Sequence, residues 1–165
     1  MAMDMFLKIE GGKYKVTGES RDKTHVGEID VLAWSWGLSQ SGTAHLGGGA
    51  GAGKANFQDL SITKYIDNTS HNLFAACATG DHFTKATLIC RKAGTTPLEY
   101  VKITMDEVLI SSLSTGGSGG EDRLTENVSL NFAKIKFEYV EQDAQGKPKT
   151  PNKEFTYSIA ENVAG

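Results

Sequence analysis

The stretch NVSLNFAKIKFEYV, residues 127–140, alternates apolar and polar side chains with a period of two. That period belongs to a strand with one buried face. Val128, Leu130 and Phe132 are in phase, whereas Ile135, Phe137 and Tyr139 are one residue out. A one-residue slip that keeps its apolar face is the mark of a β-bulge, and bulges bend long strands around a barrel. The segment LEYVKITMDEVLI, residues 98–110, repeats the pattern: Val101, Ile103 and Met105 alternate with Lys102, Thr104 and Asp106, then the phase slips near Glu107.

Working outward, EIDVLAWSWGLSQ (28–40) puts Leu32, Trp34, Trp36 and Leu38 on one face. Val31, Ala33, Ser35 and Gly37 make a smaller face opposite. DMFLKIE, FQDLSITKYI, FTKATLIC and EFTYSIAEN are further strand candidates. DNTSHNLFAACATGD (67–81) breaks the pattern, with Leu73, Phe74 and Cys77 at helical spacing and Gly80 suited to end a helix. Asn68, Thr69 or Ser70 is placed to cap its start. These periods predict a mainly β barrel or sandwich with one short helix packed on it. QDAQGKPKTPNK reads as an exposed loop before a final strand.

At 165 residues the chain has the size of one domain, 1–165. It is 39% hydrophobic and 22% charged with a formal net charge of −3, a balance that gives no reason to expect nucleic acid. No run approaches the ~18 apolar residues of a membrane-spanning helix, so no membrane insertion is expected. The start, with Asp4 and Lys8 and no apolar core, does not read as a secretory signal. Cys77 and Cys90 lack metal or redox spacing and are expected to be reduced and buried. Eleven of the 19 glycines fall in two stretches, 37–53 and 116–120, which marks two special loops.

Both loops imitate catalytic motifs. Gly48, Gly53 and Lys54 have the phosphate-loop spacing, but Ala55 stands where a hydroxyl should reach magnesium, and a strand follows where a helix should begin. Gly116-Gly117-Ser118-Gly119-Gly120 contains the nucleophile-elbow pattern. An elbow needs a helix after it and a histidine later in the chain, yet a strand follows and His25, His45, His71 and His82 all precede it. His71, Cys77, His82 and Cys90 lack zinc-site intervals. Glu121 and Asp122 point to opposite faces if extended, and GEDRLTEN reads as a solvated or interfacial ion-pair region. No catalytic residue, cofactor or metal site is expected.

Four blocks taken together carry a family resemblance: DMFLKIEG, GESRDKTHVGEIDVLAWSWGLSQSG, GGGAGAGKANFQDLSITKYID and SSLSTGGSGGEDRLTENVSLNFA. In this order they closely resemble the haemolysin-coregulated protein (Hcp) family, the tube subunits of the bacterial type VI secretion system. The resemblance implies a compact β-barrel of two sheets flanked by a helix. It further implies a homohexameric ring, with rings stacked into a tube inside a contractile sheath, under a spike protein of the VgrG type. The tube is expelled carrying secreted effector proteins. Synthesis in the cytoplasm and export by the type VI machine, without a cleavable signal peptide, follow from the same resemblance.

Such a ring needs two different patches that meet around it, and a further contact along its axis. By family analogy the loop 40–54 reaches the adjacent ring, with Gly47, Gly48, Gly49, Gly51, Gly53 and Lys54 as its stacking residues. Gly116, Gly117, Gly119, Gly120, Glu121, Asp122 and Arg123 are expected to contribute to assembly. Because Trp34 and Trp36 look like core, Ser35 is expected to face away from it and line the channel as an effector contact. A hexameric adaptor that binds effectors without building long tubes is the alternative function.

Overall fold

The computed structural model describes residues 3–40, 42, 54–93 and 97–165. Every segment read as a strand forms one: β1 (Met3–Glu10), β2 (Ile29–Ser35), β5 (Leu60–Tyr65), β6 (His82–Lys92), β7 (Leu98–Thr115), β8 (Thr125–Tyr139) and β9 (Lys153–Ser158). Three two-residue pieces, β3 (Leu38–Ser39), β4 (Asn56–Phe57) and β10 (Val163–Ala164), are too short to read from periodicity. The main sheet runs β10-β9-β8-β5-β2-β1-β6-β7, and β7 pairs again with β8 to close a six-stranded barrel. All its pairings are antiparallel. A second, small sheet is the β3–β4 hairpin stem, Leu38 opposite Phe57 and Ser39 opposite Asn56.

The barrel closes around inward-facing strand residues, and α1 adds Leu73 to them. Leu7, Leu60, Leu73, Leu88, Ile103, Met105, Leu130 and Ile135 are fully buried. At about 1.5–3 kcal/mol for each large apolar side chain, this core dominates the favourable side of folding.

The phase slips near Glu107 and after Phe132 are present but are not bulges. Pairing runs through them without a shift: Val108 faces Phe132 and Asp106 faces Lys134. On the other edge Phe83 faces Val108 and Lys85 faces Asp106. All three strands change phase at one level, so Phe83 and Ala86, Met105 and Val108, and Phe132 and Ile135 are all buried. Glu107, with φ 56°, supplies the left-handed residue of this shared kink. At the same level β8 exchanges its second partner, β5 up to Leu130 and β9 from Lys134.

True register shifts lie elsewhere, between Val31 and Ala33, between Cys90 and Arg91, and between Ile110 and Ser112. The first corrects the expected face of β2. Leu32 is the extra residue and is 40% exposed, and Leu38 is 47% exposed beyond the barrel. Ile29 and Val31 are buried instead, while Trp34 and Trp36 pack half-buried against the core.

Helix α1 (Ser70–Thr79) ends at Gly80, whose φ of 70° suits a residue without Cβ. Thr69 precedes it but makes no side-chain cap; Asp67 instead accepts hydrogen bonds from the backbone and hydroxyl of Thr69. Leu73 and Ala76 turn inward. Phe74, expected on the buried face, is 41% exposed. Cys90 is buried and Cys77 only half-buried, both free.

Candidate assembly and cargo surfaces

Outward-facing residues of β2, β5, β8 and β7 form two unbroken rows. Ala33, Thr63, Asn127 and Ser114 are register partners in one; Ser35, Ser61, Ser129 and Ser112 are partners in the other. Between them the row Trp34, Ile62, Val128 and Leu113 points inward. Alternation on both sides of a buried row makes the band wholly neutral and built of small side chains. Its centre satisfies itself: the Thr63 hydroxyl donates to Asn127 Oδ1 at 2.8 Å, and Ser61 and Ser129 hydroxyls lie 3.2 Å apart. Ser35 is exposed, on the face opposite Trp34, as its position in the alternation predicts. A shallow depression of about 250 Å³ lies against it, lined also by Ala33, Thr63 and Asn127.

Charge returns at both ends of the band. At one end Tyr65 carries the Arg123 guanidinium 3.8 Å above its ring. At the other, Asp59 accepts hydrogen bonds from Ser111 and Asn131. The face farther round the barrel differs: Lys85, Asp106 and Lys134 form one row there, and Lys102, Glu138 and Glu154 another. Lys136 sits between Glu138 and Glu154 at 3.8 and 3.7 Å.

The strands of the neutral band also carry free edges. β6 pairs with β7 only as far as Leu109, so residues 110–115 of β7 are paired with β8 alone. β1 pairs with β2 only at Ile29 and Asp30, which leaves residues 31–35 paired with β5 alone. Among the described residues no strand covers either edge.

Of the stacking residues, Gly47, Gly48, Gly49, Gly51 and Gly53 lie outside the described residues. Lys54 is exposed at the foot of the hairpin, and the chain after it continues as β4 and β5. The loop of Gly116, Gly117, Gly119, Gly120, Glu121, Asp122 and Arg123 is exposed throughout and joins β7 to β8. A Cβ on Gly117 would stand 2.3 Å from Leu124 Cδ2, the tip of an exposed side chain that is free to swing aside. Ser118 accepts from the backbone of Gly120 and of Glu121 within this turn, and a strand follows it. After Lys54 and after Ser118 alike the described chain continues as strand, where both motifs call for a helix. Among the described residues no group of three or more metal-ligating side chains comes together.

Two polar clusters escaped the reading of the sequence. Lys64 and Glu126, opposite each other on β5 and β8, are fully buried and form an ion pair. Lys64 also lies 3.0 Å from Asp67, and the Ser70 hydroxyl donates to Glu126, which ties the start of α1 to the barrel. In GEDRLTEN, expected to be a solvated or interfacial ion-pair region, Glu126 is the one acid that the fold draws inside.

The second cluster holds down the segment 11–28. His25 is buried and stacks on Phe6 at 4.4 Å; its Nδ1 lies 2.9 Å from Glu28 and its Nε2 2.5 Å from Glu99. Carboxylates only accept, so the pocket favours the imidazolium, whose two ring nitrogens both donate. Burial pulls its pKa down, but the hydrogen bonds to Glu28 and Glu99 prevail and hold it above the ordinary 6.5. Beside it Arg91 binds Asp22 and Asp4, and its hydrogen bond keeps Asp22 well below the usual carboxylate range.

Comparison with known proteins identifies the family. The family described as "Type VI secretion system effector, Hcp" matches residues 6–139. Protein hcp1 of Pseudomonas aeruginosa is 57% identical over 164 residues, covering 99% of each chain. The crystal structure of Hcp1 from Salmonella typhimurium is 39% identical, with a TM-score of 0.79 and 99% of both chains covered. A structure described as a type six secretion system protein is 28% identical, with a TM-score of 0.90 over 99% of this chain and 100% of that one. The chain belongs to the Hcp family of the type VI secretion system.

Proposed function

We propose that the chain is the ring subunit of a type VI secretion tube, with the neutral band of β2, β5, β8 and β7 turned to the channel. One observation carries this reading: the band ends in two different free edges, residues 110–115 of β7 and residues 31–35 of β2. Neighbours in the band alternate in direction, so β7 of one copy meets β2 of the next antiparallel. Edge addition of this kind is heterologous, which is the contact a cyclic oligomer uses, and it covers edges that would otherwise pair without control. A homohexamer closed in this way encloses a channel walled by Ser35 and its neutral neighbours.

Gly116 to Arg123 continue the β7 edge and so belong at the seam between copies. The loop 40–54, with Gly47, Gly48, Gly49, Gly51, Gly53 and Lys54, links β3 to β4 in sequence and is assigned the contact between stacked rings. The lysine-rich face then looks outward to the contractile sheath, and the VgrG-type spike caps the stack. Secreted effectors travel against the small neutral wall, which offers neither charge nor large apolar side chains to hold them. The protein has no catalytic step of its own, and its route out is the machine it builds.

Replacing Ser35 with Tyr tests the orientation of the band. Rings should form as before, because the residue points away from the core, while co-purification of effectors should fall. Unchanged effector retention by intact Ser35→Tyr rings would contradict the channel assignment.

A further inference from the structure

We infer that Asp59 is a positioning residue that sets the attitude of the β3–β4 hairpin against the barrel, and through it the stacking of rings. The inference rests on the stacking role proposed above for the loop that this hairpin carries. The stem is only two residue pairs long, Leu38 with Phe57 and Ser39 with Asn56, and it belongs to no larger sheet. So short a ribbon has no stiffness of its own and takes its direction from its root.

That root is held in two ways. On one side Phe57 packs against Tyr157 at 4.8 Å and near Trp36 at 6.3 Å, a contact that slides easily. Directional bonds come from the other side. Asp59, one residue before β5 and two after β4, uses both carboxylate oxygens: Oδ2 accepts from the Ser111 hydroxyl at 2.5 Å, and Oδ1 from Asn131 Nδ2 at 2.9 Å. Ser111 is the extra residue of β7 between Ile110 and Ser112, and Asn131 lies on β8. One carboxylate thus joins the hairpin root to two barrel strands at once. Next to it Gln58 donates its backbone N–H to the Gly37 carbonyl at 2.9 Å, closing the other arm of the root. Charge-assisted bonds from fixed strands define an angle, which apolar contact alone does not.

Hydrogen exchange and pelleting of Asp59→Ala, Asp59→Asn and Asn131→Ala, each against the unaltered protein, test this. Asp59→Ala should sediment as the same ring but lose protection at Gln58 and the stem amides, and pellet as tubes at least about tenfold less well, since it loses two charge-assisted bonds and one alone is worth about that factor. Asp59→Asn should recover most of both, since its amide still accepts from Ser111 while Asn131 turns its oxygen to the new N–H₂. Asn131→Ala, which leaves the carboxylate in place, should fall between. Stem protection in Asp59→Ala equal to that of the unaltered protein overturns the inference, as does Asp59→Asn behaving like Asp59→Ala. The exchange readout decides the clamp whether or not tubes form. Should the unaltered rings fail to pellet, or pellet equally with residues 43–53 shortened, the stacking role of the loop falls instead.

Discussion

At the scale of single residues, the least expected feature is charge inside the barrel. Lys64 and Glu126 are fully buried, and Glu126 Oε2 has no hydrogen-bond partner. Removing one member strands the other, so Lys64→Met should cost about 3–5 kcal/mol in urea denaturation. Lys64→Met with Glu126→Leu should recover most of that loss, because a well-packed apolar pair replaces an imperfectly satisfied ionic one. Equal losses in the single and the double variant would show that the pair is not the unit of stability. Glu107 makes a second case. Its φ of 56° strains any residue with a Cβ, so Glu107→Gly should hold or raise the melting temperature. Glu107→Val, branched at Cβ, should cost about 1–2 kcal/mol.

At the scale of elements, the segment 11–28 is the part that periodicity could not read. It has no repeating pattern, yet it folds back over Phe6, the residue of β1 that faces out of the barrel and is still only 3% exposed. Gly18 and Ser20 donate to the carbonyls of Gly27 and Glu28, and a Cβ on Gly18 would lie 2.3 Å from the Glu28 carbonyl oxygen. His25 fastens this arch to Glu99 at the start of β7. Because its folded pKa is raised above 6.5, the contribution of the imidazolium is complete below that value and is lost as pH rises through the folded pKa. Glu28 and Glu99 face the ring directly, Phe6 covers it, and Arg91 with Asp22 and Asp4 forms the adjoining pair. Protection of the arch against hydrogen exchange, corrected for intrinsic rate, should therefore weaken as pH rises above 6.5. His25→Gln should be less protected throughout and indifferent to pH over that range; a pH response that survives the substitution would place the titrating group elsewhere.

How far the sequence could be read also divides by element. Strands with one face against the core announced themselves, and the phase slip near Glu107 marked a real kink. Its cause, three neighbouring strands turning together, is a relation between segments distant in sequence. Leu32 misled because an extra residue in β2 shifts the face, and nothing in an apolar run marks which of its members is extra. Lys64, Glu126 and His25 were invisible for the opposite reason: a polar residue looks solvated until its partner, 62 residues away for Lys64 and 74 for His25, is brought beside it.

At the scale of the whole molecule, the chain is a closed barrel that leaves two edges open on one neutral wall. The small residues of β2 suggested that wall from one strand, with Ser35 as its emblem. The matching rows on β5, β8 and β7 were legible only once register was known, and so were the open edges, because a free edge is a statement about pairing and not about composition. Strand pairing between copies also makes a prediction about strength: a proline scan over residues 31–35 of β2 and 110–115 of β7 should find positions where rings are lost while the barrel holds, because each segment pairs on one side alone among the described residues. Circular dichroism would report the barrel and sedimentation the ring.

Sedimentation of the unaltered protein over the widest attainable concentration range tests the central claim most directly. A closed species of six times the 17.7 kDa chain mass is the predicted result. A single chain at every concentration would contradict it.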